Sequence, residues 1–219
     1  MNLKEAISSF GTMDADKKAL CDHIWDITNL EVQTHKLNQN NIPEDARDNI
    51  LSQLKLRPAL LVHIANIAIE AGLNISTFAE VGTAQGLQSM VFAKLFPKAS
   101  VYTCDIRDVR DPELSKLKNL FFVAGNSLDL SEKLKGKEAV DFCWIDGSHD
   151  HYAVVNDFIA LSRRAHKDTI WVFDDYDKRF GCFQDLNLLS MHFDEYFVAD
   201  LGLTASGNPN KILVARGYE

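Results

Sequence analysis

The stretch "STFAEVGTAQGLQS", residues 76–89, contains the pattern that decides the fold. It begins as an apolar run typical of a buried β-strand, turns at Gly82 and Gly86, and continues as the start of a helix. Glycine permits a tight turn and a close approach of the backbone to a ligand, and a helix start offers free N–H groups. The stretch therefore predicts a strand, a ligand-binding loop and a helix in succession.

Short apolar runs alternate with amphipathic segments after this stretch. Such alternation is typical of right-handed βαβ units, which build a doubly wound, mostly parallel α/β sheet covered by helices on both faces. Two final runs, 195–202 and 211–217, are joined by a link rich in Gly, Asn and Pro and predict an antiparallel pair at one sheet edge. The earlier predicted strands are 76–82, 100–106, 120–125, 140–146 and 169–175, and the predicted helices are about 85–96, 111–117, 127–135, 149–166 and 180–193.

The first 73 residues differ from the rest, because they show helical periodicity and no strand pattern. The last of their predicted helices begins with Pro58 and ends at Gly72, the usual asymmetry of helix ends. We therefore divide the chain into residues 1–73, a helical lid or dimerisation segment, and residues 74–219, the α/β domain. The predicted helices of the first part are about 14–28, 43–54 and 58–72.

The composition is that of a globular protein with a hydrophobic core. Of the 219 residues, 46% are hydrophobic and 25% are charged. The net charge of −8 argues against nucleic acid or an anionic membrane surface as a partner. The start "MNLKEAISSF" lacks the pattern of a signal peptide, and no apolar run is long enough for a membrane span. We expect a cytoplasmic protein whose four cysteines, which have no metal-binding spacing, stay reduced.

The residues at the ends of the first two strands predict a ligand site, because ligands collect at the carboxyl ends of the strands in such sheets. The loop from Gly82 to Gly86 is not G-x-G-x-x-G, so a pyrophosphate is disfavoured. Glu80 suits a ligand that carries an ammonium group, although an incidental glutamate before a glycine turn is the alternative. Asp105 ends the second strand and is placed to accept hydrogen bonds from ribose hydroxyls.

Three further residues near these strand ends could contact an adenine ring. Ile106 follows Asp105 and could pack on the face of the ring, and Asn126 and Ser127 follow the third strand and could reach its edge. Ser127 could equally be the N-cap of the next helix.

Glu80-Val81-Gly82-Thr83-Ala84-Gln85-Gly86, with Asp105 and Asn126 after it, resembles the nucleoside-binding half of the class I S-adenosylmethionine-dependent methyltransferases. The resemblance covers residues 75–217 and implies a Rossmann-like fold, a seven-stranded sheet with an antiparallel edge strand, and S-adenosylmethionine as cofactor. The cofactor-binding residues that it implies are Glu80, Gly82, Thr83, Gly86, Ser89, Asp105, Ile106, Asn126, Ser127 and Asp146.

Two later stretches, "IDGSHDHYAVVNDF" (145–158) and "VFDDY" (172–176), resemble the small-molecule O-methyltransferase branch that includes macrolide-sugar and, more distantly, catechol-type enzymes. This resemblance implies a Mg²⁺ or Mn²⁺ ion bound by Asp146, Asp174 and Asp175. The residues support the same hypothesis, since three carboxylates at neighbouring strand ends repel one another unless a cation neutralises them. Two separate capped turns are the alternative.

His149 lies three residues after Asp146, where the sugar-methylating relatives have a general base. An imidazole with a pKa near the ordinary value of about 6.5 can accept the proton of a hydroxyl. A solvent-facing histidine in the first turn of a helix is the alternative. His151 departs from the relatives, which usually have Tyr at that position, and its role is not predicted.

We therefore expect an enzyme that transfers a methyl group from S-adenosylmethionine to a hydroxyl of a small molecule, with Asp146 and His149 as catalytic residues and a divalent metal that acidifies the hydroxyl. The alternatives are a metal-independent N- or O-methyltransferase and a non-catalytic, nucleoside-binding regulatory subunit. We expect no nucleic-acid or membrane partner, and a homo-oligomer is compatible with the helical segment. The sequence does not identify the acceptor.

Overall fold

The computed structural model describes residues 3–12, 14–28, 44–203 and 209–218. Its strands are β1 (Thr77–Val81), β2 (Ser100–Asp105), β3 (Leu120–Ala124), β4 (Val140–Ile145), β5 (Ala165–Phe173), β6 (Glu195–Leu203) and β7 (Pro209–Arg216). Its α-helices are α1 (Leu3–Thr12), α2 (Asp14–Thr28), α3 (Glu44–Glu70), α4 (Leu87–Leu95), α5 (Ser127–Lys133), α6 (Ala153–Ser162) and α7 (Phe183–Ser190), and a 3₁₀ helix covers Pro112–Lys116.

The seven strands form one sheet in the order β3-β2-β1-β4-β5-β7-β6. Strands β1 to β5 are parallel, and β1 pairs with both β2 and β4. The strand order therefore reverses at β1, and a crevice opens at the carboxyl ends of β1 and β4, where ligands bind in sheets of this kind. The predicted Rossmann-like, doubly wound sheet is confirmed.

The predicted antiparallel pair closes the edge of the sheet beside β5. Strand β7 is antiparallel to both β5 and β6. Of the link between β6 and β7, residues 204–208 lie outside the described residues.

The sheet is buried on both faces, because helices cover each of them. On one face the rings of Phe78 in β1 and Phe92 in α4 stack with their centroids 4.0 Å apart. On the other face the edge of Phe158 in α6 meets Trp171 of β5, with centroids 4.6 Å apart. All five residues of β1 are buried, as expected for a central parallel strand. These two layers hold the carboxyl ends of the strands in fixed positions.

The helix α3 differs from the prediction, since one helix covers the two predicted helices at 43–54 and 58–72. Pro58 lies inside it rather than at its start. Proline removes one backbone hydrogen bond, but its fixed φ is helical, and the buried residues that follow compensate for the loss. The predicted end is correct, because Gly72 has φ +86° and its N–H donates to Ile69 O. None of the described helices is long and apolar enough to cross a membrane.

Candidate active site

A cavity of about 820 Å³ lies at the carboxyl ends of β1 to β4, on the side of the sheet that α5 and α6 cover. Its volume is within the range of small-molecule and cofactor sites. Six of the predicted site residues for the cofactor line it. They are Gly82, Asp105, Ile106, Asn126, Ser127 and Asp146.

The glycine loop brings the end of β1 against the end of β4. Gly82 has φ +91°, and a Cβ atom added there would lie 1.8 Å from the carbonyl oxygen of Asp146. Gly86 has φ +84°, and an added Cβ would lie 2.1 Å from Cδ2 of Leu114. Both positions therefore require glycine for conformation and for space. The close packing at Gly82 places Asp146 directly beside the loop.

Asp105 has both carboxylate oxygens oriented by backbone donors. Oδ2 accepts from the N–H of Ala84 at 2.8 Å, and Oδ1 accepts from the N–H of Arg107 at 3.0 Å. Because a carboxylate oxygen has more than one lone pair, each oxygen can accept a further hydrogen bond from the cavity. Ile106 lines the cavity beside it, with 78% of its surface exposed.

The helix cap after β3 is Asn126 rather than Ser127. The Asn126 side chain accepts from the N–H groups of Leu128 (2.9 Å) and Asp129 (3.2 Å) and forms a capping box with Asp129. Ser127 is buried, and its hydroxyl hydrogen-bonds to Asp157 of α6. Both residues nevertheless line the cavity.

Glu80 lies beneath the glycine loop and does not line the cavity. It is 2% exposed, and its carboxyl accepts hydrogen bonds from Ser89 and, at 2.5 Å, from Thr103. Thr103 also contacts the hydroxyl of Thr83. Burial raises the pKa of Glu80 to about 8, although the two hydroxyl donors oppose the shift. Glu80, Thr83 and Ser89 therefore form a buried network that supports the loop.

Three side chains converge where β4 and β5 end. The group consists of Asp146, His149 and Asp175, whose potential ligand atoms all lie within 4.8 Å of one another. His149 Nε2 is 2.9 Å from Asp175 Oδ2 and 3.5 Å from Asp146 Oδ1. Asp175 has φ +52°, an unfavourable conformation for aspartate, and strain of this kind is often found at functional sites.

Asp174 is not part of this group, although the sequence analysis included it among the metal ligands. It is buried and forms an ion pair with Arg57 of α3, with Nε 3.1 Å from Asp174 Oδ2. Its other oxygen accepts from the N–H of Asp175 at 2.8 Å. Arg57 also lies 3.6 Å from Asp175 and donates to Asn210 at 3.2 Å. Asp174 thus differs from the prediction because it pairs with a cation from the amino-terminal segment. The residues at the strand ends, on which the prediction is based, do not include this cation.

The pKa of His149 is higher than the sequence analysis expected. The carboxylates of Asp146 and Asp175 stabilise the imidazolium and raise the pKa to about 10, while burial opposes the shift. A protein without a bound cation therefore carries a protonated His149 at neutral pH, and the expected value near 6.5 is wrong for this state.

His151 has a different partner. Its Nδ1 is 2.9 Å from Oδ2 of Asp185 in α7, and the same oxygen accepts from the N–H of Tyr152 at 2.7 Å. His151 therefore connects the loop after β4 to α7.

The sequence analysis missed two residues that the structure brings to the site, Arg57 and Asp157. Arg57 comes from a helix far from the sheet in sequence, and no motif marks it. Asp157 could have been found, since it lies on the helix that follows the Asp146 loop.

Comparison with known proteins agrees with this fold. Residues 79–176 match the family model described as "Methyltransferase domain". No curated protein sequence matches the chain.

Solved structures with the same fold include the O-methyltransferase TomG from Streptomyces achromogenes in complex with SAM. It has a TM-score of 0.60 and 13% identity, over 82% of this chain and 92% of TomG. An O-methyltransferase from Bacillus cereus in complex with SAH has a TM-score of 0.57 and 15% identity, over 90% of this chain and 97% of that one. MycE, from the mycinamycin pathway and in complex with Mg and SAH, has a TM-score of 0.51 and 18% identity, over 77% of this chain and 55% of MycE. At these identities the likeness shows the fold.

The family match lies on the segment that forms the glycine loop, Asp105 and the group of Asp146, His149 and Asp175. Residues 79–176 are therefore similar to a methyltransferase domain, and the chain shares its fold with solved O-methyltransferase structures.

Proposed function

We propose that the protein methylates a hydroxyl group of a small molecule and that a divalent cation bound by Asp146 and Asp175 assists the transfer. The observation that carries this proposal is the convergence of Asp146, His149 and Asp175 at one end of the cofactor cavity. Two of the similar structures, TomG and the Bacillus cereus protein, are described as O-methyltransferases, and MycE is described in complex with Mg.

The donor atoms of this group fit a divalent cation. Carboxylate oxygens are the preferred ligands of Mg²⁺ and Mn²⁺, and His149 lies within contact distance of both carboxylates. A bound cation would supply electrostatic stabilisation to an acceptor oxygen as it loses its proton. In this proposal Asp174 acts indirectly, because its ion pair with Arg57 and its bond to the Asp175 N–H orient the Asp175 carboxylate.

The residues of the chain then have distinct roles. Asp105 binds the ribose, Ile106 and Asn126 contact the adenine, and the glycine loop accommodates the methionine part of the cofactor. His149, once deprotonated, accepts the proton of the acceptor hydroxyl. The hydroxyl oxygen forms a bond to the methyl carbon as the carbon–sulfur bond breaks, the electron pair stays on sulfur, and S-adenosylhomocysteine leaves. Positioning of the two reactants accounts for most of the rate enhancement.

One observation favours a metal-independent methyltransferase as the second candidate. The Arg57 guanidinium and the protonated His149 already place two positive charges among Asp146, Asp174 and Asp175. The carboxylates are thus partly neutralised without a metal ion.

A transfer assay with and without chelator tests the proposal. The purified protein is incubated with methyl-labelled S-adenosylmethionine and a panel of hydroxylated metabolites that includes sugars and catechols. We expect labelled O-methyl product from at least one compound class, loss of product with EDTA, and recovery with Mg²⁺ or Mn²⁺. Full activity in EDTA would support the second candidate, and labelling confined to amines would contradict O-methylation.

A further inference from the structure

The carboxylate of Asp157 lies at the edge of the cofactor cavity with no role in the proposed transfer. Asp157 projects from α6 and lines the cavity next to Ser127, whose hydroxyl hydrogen-bonds to it. On its other side is Gly147, where an added Cβ would come within 3.0 Å of Asp157 Oδ2. The carboxylate is therefore held between residues that follow the ends of β3 and β4.

Asp157 has no cationic partner in the part of the chain that the structure describes. Burial is the main influence on it and raises its pKa, and the Ser127 hydrogen bond opposes this shift. Among the described residues that line the cavity, His149 is the only one that can carry a positive charge, and it contacts Asp146 and Asp175 instead. A partly buried carboxylate of this kind is stabilised by a hydrogen-bond donor from a ligand.

The surroundings of Asp157 suit a flat, mostly apolar ring that carries such a donor. Ile106, Leu128 and Ile159 line the same cavity, and each remains exposed in the protein alone. Apolar side chains that remain exposed around a cavity are available to pack against the faces of a ring. Asp105, which is oriented to bind ribose hydroxyls, lines the cavity as well.

We propose that Asp157 recognises the exocyclic amino group of the adenine of S-adenosylmethionine and S-adenosylhomocysteine. The inference rests on the assignment of this cavity to the cofactor. The amino group donates a hydrogen bond to the Asp157 carboxylate, which is held in place by Ser127. A base with a carbonyl oxygen at this position would place that oxygen opposite the Asp157 carboxylate. Two acceptors would then face each other, so such a base binds more weakly.

The test compares two ligands that differ at that group and at the adjacent ring atom N1, which carries a hydrogen only in the carbonyl form. S-adenosylhomocysteine and S-inosylhomocysteine, in which a carbonyl oxygen replaces the exocyclic amino group, are titrated into the full chain by calorimetry. We expect the native protein to prefer the adenine ligand by about 10- to 100-fold, the range for a hydrogen bond to a charged group. Asp157→Asn should reduce this ratio at least about tenfold, because an amide can donate to the carbonyl oxygen as well as accept from an amino group.

A matched control separates recognition of the base from general damage to the cavity. Asp105→Asn makes the same chemical change at the ribose end, so it should weaken both ligands and leave their ratio unchanged. Asp157→Ala provides a second test if the Asn variant does not fold, and it should also reduce the ratio. An unchanged ratio in the Asp157 variants, or a native protein that binds both ligands equally, would overturn the inference. If the native protein binds neither ligand, the assignment of the cavity to the cofactor fails as well.

Discussion

His149 occupies a position in which a side chain can act either on the acceptor or on the cation. Its imidazole contacts both Asp146 and Asp175, so a role as a third metal ligand and a role as a general base are chemically distinct possibilities for the same ring. We assign it the role of base, because two carboxylates already supply oxygen ligands and the acceptor hydroxyl needs a proton acceptor.

The first prediction concerns this assignment. His149→Ala should lower kcat by about 10²- to 10⁴-fold, the usual contribution of a positioned base, and should leave Mn²⁺ and S-adenosylhomocysteine affinities nearly unchanged. His151→Ala is the control, since His151 pairs with Asp185 and is not part of the group of Asp146, His149 and Asp175. Steady-state kinetics and calorimetry measure both effects. Loss of Mn²⁺ binding in His149→Ala would show that His149 is a metal ligand. Loss of activity in His151→Ala but not in His149→Ala would contradict the assignment of His149 as the general base.

For single residues, the sequence predicts the position of a side chain when that position is determined by the end of a strand. Asp105 and Asp146 lie in the cavity as expected, because a strand end determines where its last side chain goes. Asp174 and Glu80 differ from expectation, because their surroundings depend on partners remote in sequence. Arg57 comes from α3 and pairs with Asp174, and Thr103 comes from β2 and donates a hydrogen bond to Glu80.

The glycine loop after β1 is the element that joins the cofactor end of the cavity to the acidic group. Its geometry depends on contact between backbones, since Gly82 leaves no space for a side chain beside the carbonyl of Asp146. A change at Gly82 therefore moves Asp146 as well as the loop.

The second prediction follows from this contact. Gly82→Ala should destabilise the fold by more than about 2 kcal/mol and weaken binding of S-adenosylhomocysteine, since it combines an unfavourable φ with a backbone clash. Gly136→Ala is the matched control, because Gly136 has φ +73° but an added Cβ there meets nothing within 4 Å. Gly136→Ala should lower the free energy of unfolding by only about 1 kcal/mol, the cost of a positive φ for a residue with a side chain. Urea denaturation measures both values, and equal costs would contradict a tight approach at Gly82.

The strands and most helices could be predicted from the sequence, but the boundaries of α3 could not. Alternating apolar runs determine β1 to β5, since each strand must be covered on both faces. The pattern around Pro58 is equally typical of a helix start and of a tolerated interior proline. The packing of the buried residues that follow Pro58 decides between the two. This packing depends on tertiary contacts, which the local sequence does not show.

At the scale of the whole molecule, buried carboxyl groups make the stability depend on pH. Glu80 is fully enclosed, and burial raises its pKa to about 8 from the ordinary value of about 4.5. The folded state therefore holds a proton that the unfolded state releases between these two values. Stability should accordingly fall as pH rises through this window.

The third prediction isolates this contribution. Glu80→Gln should remove part of the pH dependence, so that its stability relative to the native protein increases by about 2 kcal/mol from about pH 5.5 to about pH 7.5. Glu70→Gln is the control, because Glu70 is exposed at the end of α3. Urea unfolding at the two pH values gives the difference. A relative stability of Glu80→Gln that does not change with pH would show that Glu80 is ionised in the folded protein throughout.

The central claim is that the ends of β4 and β5 bind a divalent cation beside the cofactor, and titration of Mn²⁺ into the protein saturated with S-adenosylhomocysteine tests it most directly. We predict one bound Mn²⁺ per chain, with affinity reduced about 10- to 100-fold or more in Asp146→Asn and Asp175→Asn. Asp150→Asn removes the same charge from an exposed residue of the same loop and should bind Mn²⁺ as the native protein does. Absence of binding, or an equal loss of affinity in all three variants, would contradict the claim.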